Sequence, residues 1–332
     1  MSIFKNAIKR DKKLRENGYQ TTVLRTKYFK NGNTKRFVSR HIDSSIWQSV
    51  SIRPGDIILG SYAKSGTTWL QNILCQLVHG AGSRINVNEV SPWIESKLGN
   101  RFSVLDQIEK QTHRRILKTH LPLTYFDILP EVKYVYIARD AVDVAWSLHH
   151  HHMMANKDWY SLLNNQDIKN EKFSLPIEDK RSYFFNWLYS DGHPFWPYSD
   201  NIRSWWKARY LNNVFVLHYK NLTLDFDKTV LMLASFLETN LSSDGVKLIK
   251  ECSSFEYMRV NAELFAPNGG KFWLGGAKTF FNKGKDGEWN SELSQVDLEE
   301  YETFLKEVLG KQCLNWIRKG EVGATEKLSI KF

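Results

Sequence analysis

Three short stretches place cations and hydroxyls where apolar runs end. In IILGSYAKSGTTWLQNIL, residues 57–74, the apolar run breaks at Gly60, a small-residue loop follows, and a helical pattern starts at Thr67. A strand, a tight loop and a helix N-terminus together aim backbone N–H groups at one spot, and the helix dipole favours an anion there. Ser65, Thr67 and Thr68 add hydroxyl donors, and Lys64 adds a charge from the strand side. This is not a Walker loop. That motif carries its lysine directly after the second glycine, whereas Lys64 precedes Ser65 and Gly66. An ordinary strand-to-helix turn is the plain alternative.

In the second stretch, RRILKTHLP, Lys118 and His120 are two residues apart. On a strand they project from the same face, and at its carboxyl end both face a cleft above the loop. Histidine suits a general base because its unperturbed pKa lies near the working pH. The plain alternative is a structural histidine. In the third stretch, YVYIARDAVDVAWSL, Arg139 ends a strand and Ser147 lies two helical turns further on. Arginine grips phosphate through two parallel hydrogen bonds. Its alternative role is to pair with Asp140 or Asp143 at the helix start.

The elements that must position these residues are legible. GDIILGSYA, RRILKTH, VKYVYIAR and NVFVLHY read as buried strands. Helical patterns run over 67–79, 141–156, 201–210 and 226–237. This alternation predicts a parallel sheet with helices on both faces, whose ligands gather beyond the carboxyl ends of the strands. The fold class expected is α/β: a single three-layer α/β/α domain with a central parallel sheet and a P-loop-like phosphate-binding loop. Its expected limits are residues 51–320, after a basic lead-in over 1–50 and before a tail over 321–332. Mobile covers over the cleft are expected near 157–197, which shows no clear period, and 268–290, rich in glycine, lysine and aromatics. The basic residues of the first twenty positions read as a solvated, partly helical lead-in.

At 332 residues with 42% hydrophobic content, the chain has ample core material and is not globally disordered. The +10 net charge fits nucleic acid, anionic lipid or a small polyanion. Three widely spaced cysteines, Cys75, Cys252 and Cys313, form neither a disulfide framework nor a metal-ligand spacing and suit a reducing compartment. No apolar run reaches membrane-spanning length, and the N-terminal residues lack a signal peptide's apolar core.

Taken together and in order, these stretches resemble the cytosolic sulfotransferases. YAKSGTTWLQ is similar to that family's 5′-phosphosulfate loop, RRILKTHLP to its catalytic strand, and YVYIARDAVDVAWSL to its 3′-phosphate site; VFVLHYKNL, SSFEYM and NKGKDGEWN continue the match over about residues 55–290. The resemblance implies 3′-phosphoadenosine 5′-phosphosulfate as donor, 3′-phosphoadenosine 5′-phosphate as product, and no metal. It implies that Lys64, Ser65, Gly66, Thr67, Thr68 and Trp69 hold the phosphosulfate end, with Trp69 also against the adenine. Arg139 and Ser147 take the 3′-phosphate, and Tyr219, Ser253, Ser254, Phe255 and Met258 surround the base. Lys283 and Gly284 close over the 3′-phosphate. Asn282 stands beside them where the family usually has arginine, which removes one contact; Lys271, Lys278 or Lys285 are candidate replacements. Ala63 replaces a usual proline. His120 is implied as general base and Lys118 as an accompanying cation. The family's C-terminal dimerisation motif is not recognisable, so the oligomeric state stays open.

The lysine's position then has a physical reading. A sulfuryl group carries less charge than a terminal phosphoryl group, so bridging by Mg²⁺ is less necessary than in kinases. A lysine on the strand side stabilises the oxygen left on the 5′-phosphate. The acceptor is expected to be a small alcohol, phenol or amine, with Trp93, Phe126, Phe184, Trp187 and Phe195 as pocket candidates. Four consecutive histidines, His149 to His152, spread around a helix and cannot converge on one ion; some of them are expected at the acceptor. Competing readings are a nucleotide kinase, which lacks the glycine-lysine order here, a single-strand nucleic-acid module, which lacks a recognisable motif, and a donor-binding protein with little turnover. Expected partners are therefore a small-molecule acceptor, with neither nucleic acid nor membrane, in the cytoplasm.

Overall fold

The computed structural model describes residues 36–166 and 172–320. The lead-in over the first twenty residues and the 321–332 tail lie outside the described residues.

Four strands form a parallel sheet in the order β2-β1-β3-β4. They are β1 Ile57–Ser61, β2 Ile116–Thr119, β3 Lys133–Ala138 and β4 Val214–His218. Each falls inside a run read as a strand. The register sets Leu59 beside both Lys118 and Val135, and Ala138 beside His218. A parallel sheet is covered on both faces, which is why these strands are almost continuously apolar. Alternate side chains divide between two cores. Ile57, Leu59, Val135, Ile137 and Leu217 join Leu70, Ile73 and Leu233 on one face. Ile58, Leu117, Tyr134, Tyr136 and Val214 join Val142, Ile202 and Tyr301 on the other. The three-layer α/β/α architecture follows from that alternation.

The helix Thr67–His79 has the expected limits and starts from Gly66 in the left-handed conformation. The next helix, Ala141–Met153, is capped by the Asp140 side chain, which accepts from the Val142 N–H. Tyr198–Lys207 begins earlier than expected, directly after Pro197, whose fixed φ suits a helix start. Phe226–Phe236 is capped by Asp225.

Two expectations need correction. The boundary at residue 50 falls inside packed chain: Phe37, Ile42, Ile46, Trp47 and Val50 are buried in the same core as the sheet. Among the described residues of 157–197 are two helices, Lys157–Asn164 and Lys180–Tyr189. Tyr183, Phe184 and Trp187 are buried there, while Phe185 and Tyr189 pack half-buried on another side. Apolar residues around most of the circumference flatten the helical period, so the sequence showed none. Among the described residues, no helix is long and apolar enough to cross a membrane.

Candidate functional site

The strands end at one cavity of about 280 Å³, lined by the phosphate-loop residues, the end of β2, Arg139 and the 282–285 segment. At the loop, Gly66 has φ 96°, and a Cβ there would lie 2.7 Å from the Tyr219 ring, so only glycine fits. Thr67 Oγ1 lies 2.7 Å from Ser61 Oγ. Thr68 and Trp69 line the cavity, and the Trp69 ring meets Tyr219 edge-on at 5.4 Å. Ser65 is different: its side chain is buried beneath the loop rather than on the cavity, and its Oγ has no hydrogen-bond partner. Trp69 Nε1 is likewise buried without one. Lys64 itself has φ 63°. Its Nζ sits 4.5 Å over the Phe280 ring and 3.5 Å from His151 Nδ1. Burial, then the charges of Arg139 and Lys118, push the Lys64 pKa down to about 7.

Both Lys118 and His120 reach the cavity. His120 Nδ1 lies 2.9 Å from the Ser61 carbonyl oxygen, which can only accept. Nδ1 therefore carries the proton, and Nε2 keeps its lone pair. The imidazole is wedged between Trp93, edge-on at 4.7 Å, and Trp196, stacked at 5.4 Å. Burial first, and the Lys118 charge second, lower its pKa to about 3, so it is neutral at pH 7. Burial lowers Lys118 to about 8, with Glu95 pulling the other way. Glu95 accepts the His120 backbone N–H at 2.7 Å and was not singled out from sequence.

Arg139 pairs with neither Asp140 nor Asp143. Its Nε donates to Asp286 Oδ1 at 2.8 Å, its Nη2 to the Lys285 carbonyl at 2.9 Å, and its guanidinium lies 4.5 Å over the Tyr219 ring. Asp140 instead accepts from Tyr301 and Arg318. Asp143, pushed up to about 7 by burial, accepts the Gly287 N–H and the Trp289 indole N–H. These contacts fasten the 282–289 segment over the helix start. Gly284 lies against Phe255, and the Tyr219 hydroxyl donates to the Gly284 carbonyl. Ser147, Ser253, Phe255, Met258, Asn282, Lys283 and Gly284 all line the cavity. Ser254 does not; its hydroxyl caps the Phe255–Val260 helix. Of the three lysines considered as replacements at Asn282, Lys285 lines the cavity, and Lys271 and Lys278 do not.

The four histidines diverge. His149 Nε2 bonds to the Ile177 carbonyl, His152 is buried among Trp159, Tyr160 and Phe173, and His151 alone of the four lines the cavity. Among the described residues, no three His, Cys, Asp or Glu side chains group as a metal site. Trp93 and Phe195 line the cavity as expected. Phe126 packs on Trp47 instead, and Phe184 and Trp187 belong to the core. Sequence reasoning missed His41, Trp146, Trp159, Trp196, Trp273 and Phe280, which line it too. Single aromatics in long polar stretches carry no periodic signal that marks them as pocket walls.

The chain matches the sulfotransferase domain family over residues 54–312. It is 25% identical over 315 residues to a glycolipid sulfotransferase of Mycobacterium bovis, covering 87% of this chain and 96% of that protein. Its fold is similar to that of mouse sulfotransferase SULT7A1 complexed with PAP, at TM-score 0.61 and 20% identity, covering 82% of this chain and 91% of that one. It is also similar to retinol dehydratase in complex with androsterone and PAP, at TM-score 0.62 and 20% identity, covering 83% and 87%. With more than half its length matched, and with the 64–69 loop, the strand end beside Lys118 and His120, and Arg139 around one cavity, the chain belongs to the sulfotransferase domain family, enzymes that draw on 3′-phosphoadenosine 5′-phosphosulfate.

Proposed function

We propose that the protein moves a sulfuryl group from 3′-phosphoadenosine 5′-phosphosulfate to a hydroxyl or amine of a small-molecule acceptor, with His120 as general base. The observation that carries this reading is the His120 tautomer: Nδ1 is pinned to the Ser61 carbonyl, and the unprotonated Nε2 belongs to a ring on the same cavity as Lys64, Lys118 and the phosphate loop. The residues fit such a nucleotide. Trp69, which lines the cavity, has a buried indole N–H without a partner, and the loop's amides lie at a helix N-terminus. In this reading Lys64, Gly66, Thr67, Thr68 and Trp69 hold the 5′ end, Arg139, Ser147, Lys283 and Gly284 the 3′-phosphate, and Tyr219, Ser253, Phe255 and Met258 the base, with Asn282 at its margin.

The donor, when bound, supplies an activated sulfuryl group. His120 Nε2 takes the acceptor's proton as the new oxygen–sulfur or nitrogen–sulfur bond forms in line with the one that breaks. Lys64 and Lys118 balance the charge left on the departing oxygen. Trp93, Trp196 and Phe195 wall the acceptor side and exclude water, which suits an apolar alcohol, phenol or amine. A cytoplasmic setting belongs to the same proposal and is supported by the free thiols of Cys75, Cys252 and Cys313. The deciding experiment incubates the protein with labelled donor and a panel of phenols, alcohols and amines, with and without EDTA, and identifies products by mass. Sulfated product in both conditions is expected. Phosphorylation from ATP that EDTA stops would instead establish a kinase.

A further inference from the structure

Behind the end of β2 lies a buried carboxyl group that the reaction as described does not use. Glu95 is 1% exposed, and four donors converge on it. Oε1 accepts the Trp93 indole N–H at 2.6 Å, the His120 backbone N–H at 2.7 Å and the Thr119 hydroxyl at 3.1 Å. Oε2 accepts the Trp47 indole N–H at 2.9 Å. Three of these groups are N–H donors that cannot accept. The fourth, Thr119 Oγ1, already accepts the Leu121 N–H and turns its own proton to Glu95. Burial pushes the Glu95 carboxyl up from its usual range, and the bonds from His120, Trp93 and Trp47 pull it back; with three donors crowded on Oε1, the surroundings are built for the carboxylate.

The partners show what the carboxylate does. Thr119 ends β2 and His120 follows it directly, and Trp93 is the ring that meets His120 edge-on at 4.7 Å and lies 5.8 Å from Lys118 Nζ. Glu95 thus ties three walls of the reacting corner to one point. It is also the negative charge that opposes burial at Lys118, where the neighbouring ionisable groups are Lys64 and His120. A buried amide would satisfy fewer of the four donors and supply no charge.

We infer that Glu95 is a positioning residue for sulfuryl transfer, fixing the end of β2 that carries His120 and keeping Lys118 protonated in the buried cavity. The inference rests on the roles proposed above for those two residues. As the His120 ring gains a proton, a nearby carboxylate also favours the cation that forms.

The test uses the full chain with Glu95→Gln, Glu95→Asp and Trp47→Phe. Competitive acylation with acetic anhydride, read on the Lys118 peptide by mass, gives the pH at which that amine becomes neutral without needing turnover. Glu95→Gln should move this midpoint at least half a pH unit downward and cut kcat ten- to a hundredfold. Its dissociation constant for adenosine 3′,5′-bisphosphate should stay within about threefold. Glu95→Asp, which keeps the charge, should restore the midpoint but not the full kcat. Should the glutamine variant not fold, Trp47→Phe carries the test: it removes the donor on Oε2, makes the carboxylate easier to protonate, and should raise the acidic limb of kcat/KM by half a unit or more. An unchanged Lys118 midpoint in Glu95→Gln, or an unmoved acidic limb in Trp47→Phe, overturns the inference. The labelling result stands even when no acceptor is sulfated, so the two readings fail separately.

Discussion

At the scale of single residues, protonation states divide the labour. His120 is neutral because burial and Lys118 both oppose its cation. His120→Ala should therefore lower kcat by about 10²–10⁴, while calorimetry finds the affinity for adenosine 3′,5′-bisphosphate nearly unchanged. A variant with near-normal kcat would show that another group takes the proton. Lys64 makes a different prediction. Its pKa in the free protein is pushed down to about 7, and an anion binds best to the charged amine. Below that pH the lysine is already protonated, and binding takes up no proton. Above it, each binding event must protonate the lysine, and affinity falls by up to about tenfold per pH unit. Titrations of adenosine 3′,5′-bisphosphate at pH 7 and 8 should show this fall in the native protein and a flatter response in Lys64→Met. Equal slopes would mean that Lys64 does not meet the anion.

At the scale of elements, the site is a set of strand ends closed by one irregular segment. Gly284 has φ 65°, and a Cβ on it would sit 2.5 Å from the Phe255 ring. Gly284→Ala must push the segment away from Phe255 or twist its own backbone. It should weaken nucleotide binding tenfold or more, with little change in melting temperature, because the segment packs outside the sheet. Loss of stability without loss of affinity would place the segment in the core instead. The strands, the loop and the helix after it were legible because local period and turn chemistry specify them. Lys118, His120 and Arg139 were legible because a parallel sheet sends its strand ends to one side. Glu95 and the Asp286 partner of Arg139 were not, since contacts between distant segments leave no spacing to read. Ser65 and Ser254 show the opposite failure. They lie in motifs that border the cavity, yet one side chain is buried beneath the loop and the other caps a helix.

At the scale of the whole molecule, the two ends of the sheet have separate duties. The carboxyl ends carry the ionisable groups of the cavity. Next to the amino ends of β1 and β2, Asp56 and Arg115 form an ion pair with side chains only 3% and 1% exposed. Arg115 Nε donates to Asp56 Oδ1 at 2.9 Å, and its Nη2 reaches both Asp56 Oδ2 and the Ser51 carbonyl. Asp56 Oδ2 also accepts the Arg53 N–H at 2.8 Å. These bonds join the turn before β1 to the residue before β2, and neither residue touches the cavity. Asp56→Asn keeps the shape but removes the buried counter-charge and leaves Arg115 only the half-exposed Glu109, 3.6 Å from its Nη1, a loss of up to about 3–5 kcal/mol. For a chain of this size each kcal/mol lowers the melting temperature by about 1.4 °C, so a fall of up to roughly 4–7 °C is expected by calorimetry. Well below that temperature, kcat and KM should match the native enzyme. A variant that melts normally would show that water or a rearranged backbone satisfies Arg115. One that stays folded but loses kcat would show that strain at the amino ends travels the length of the sheet to His120.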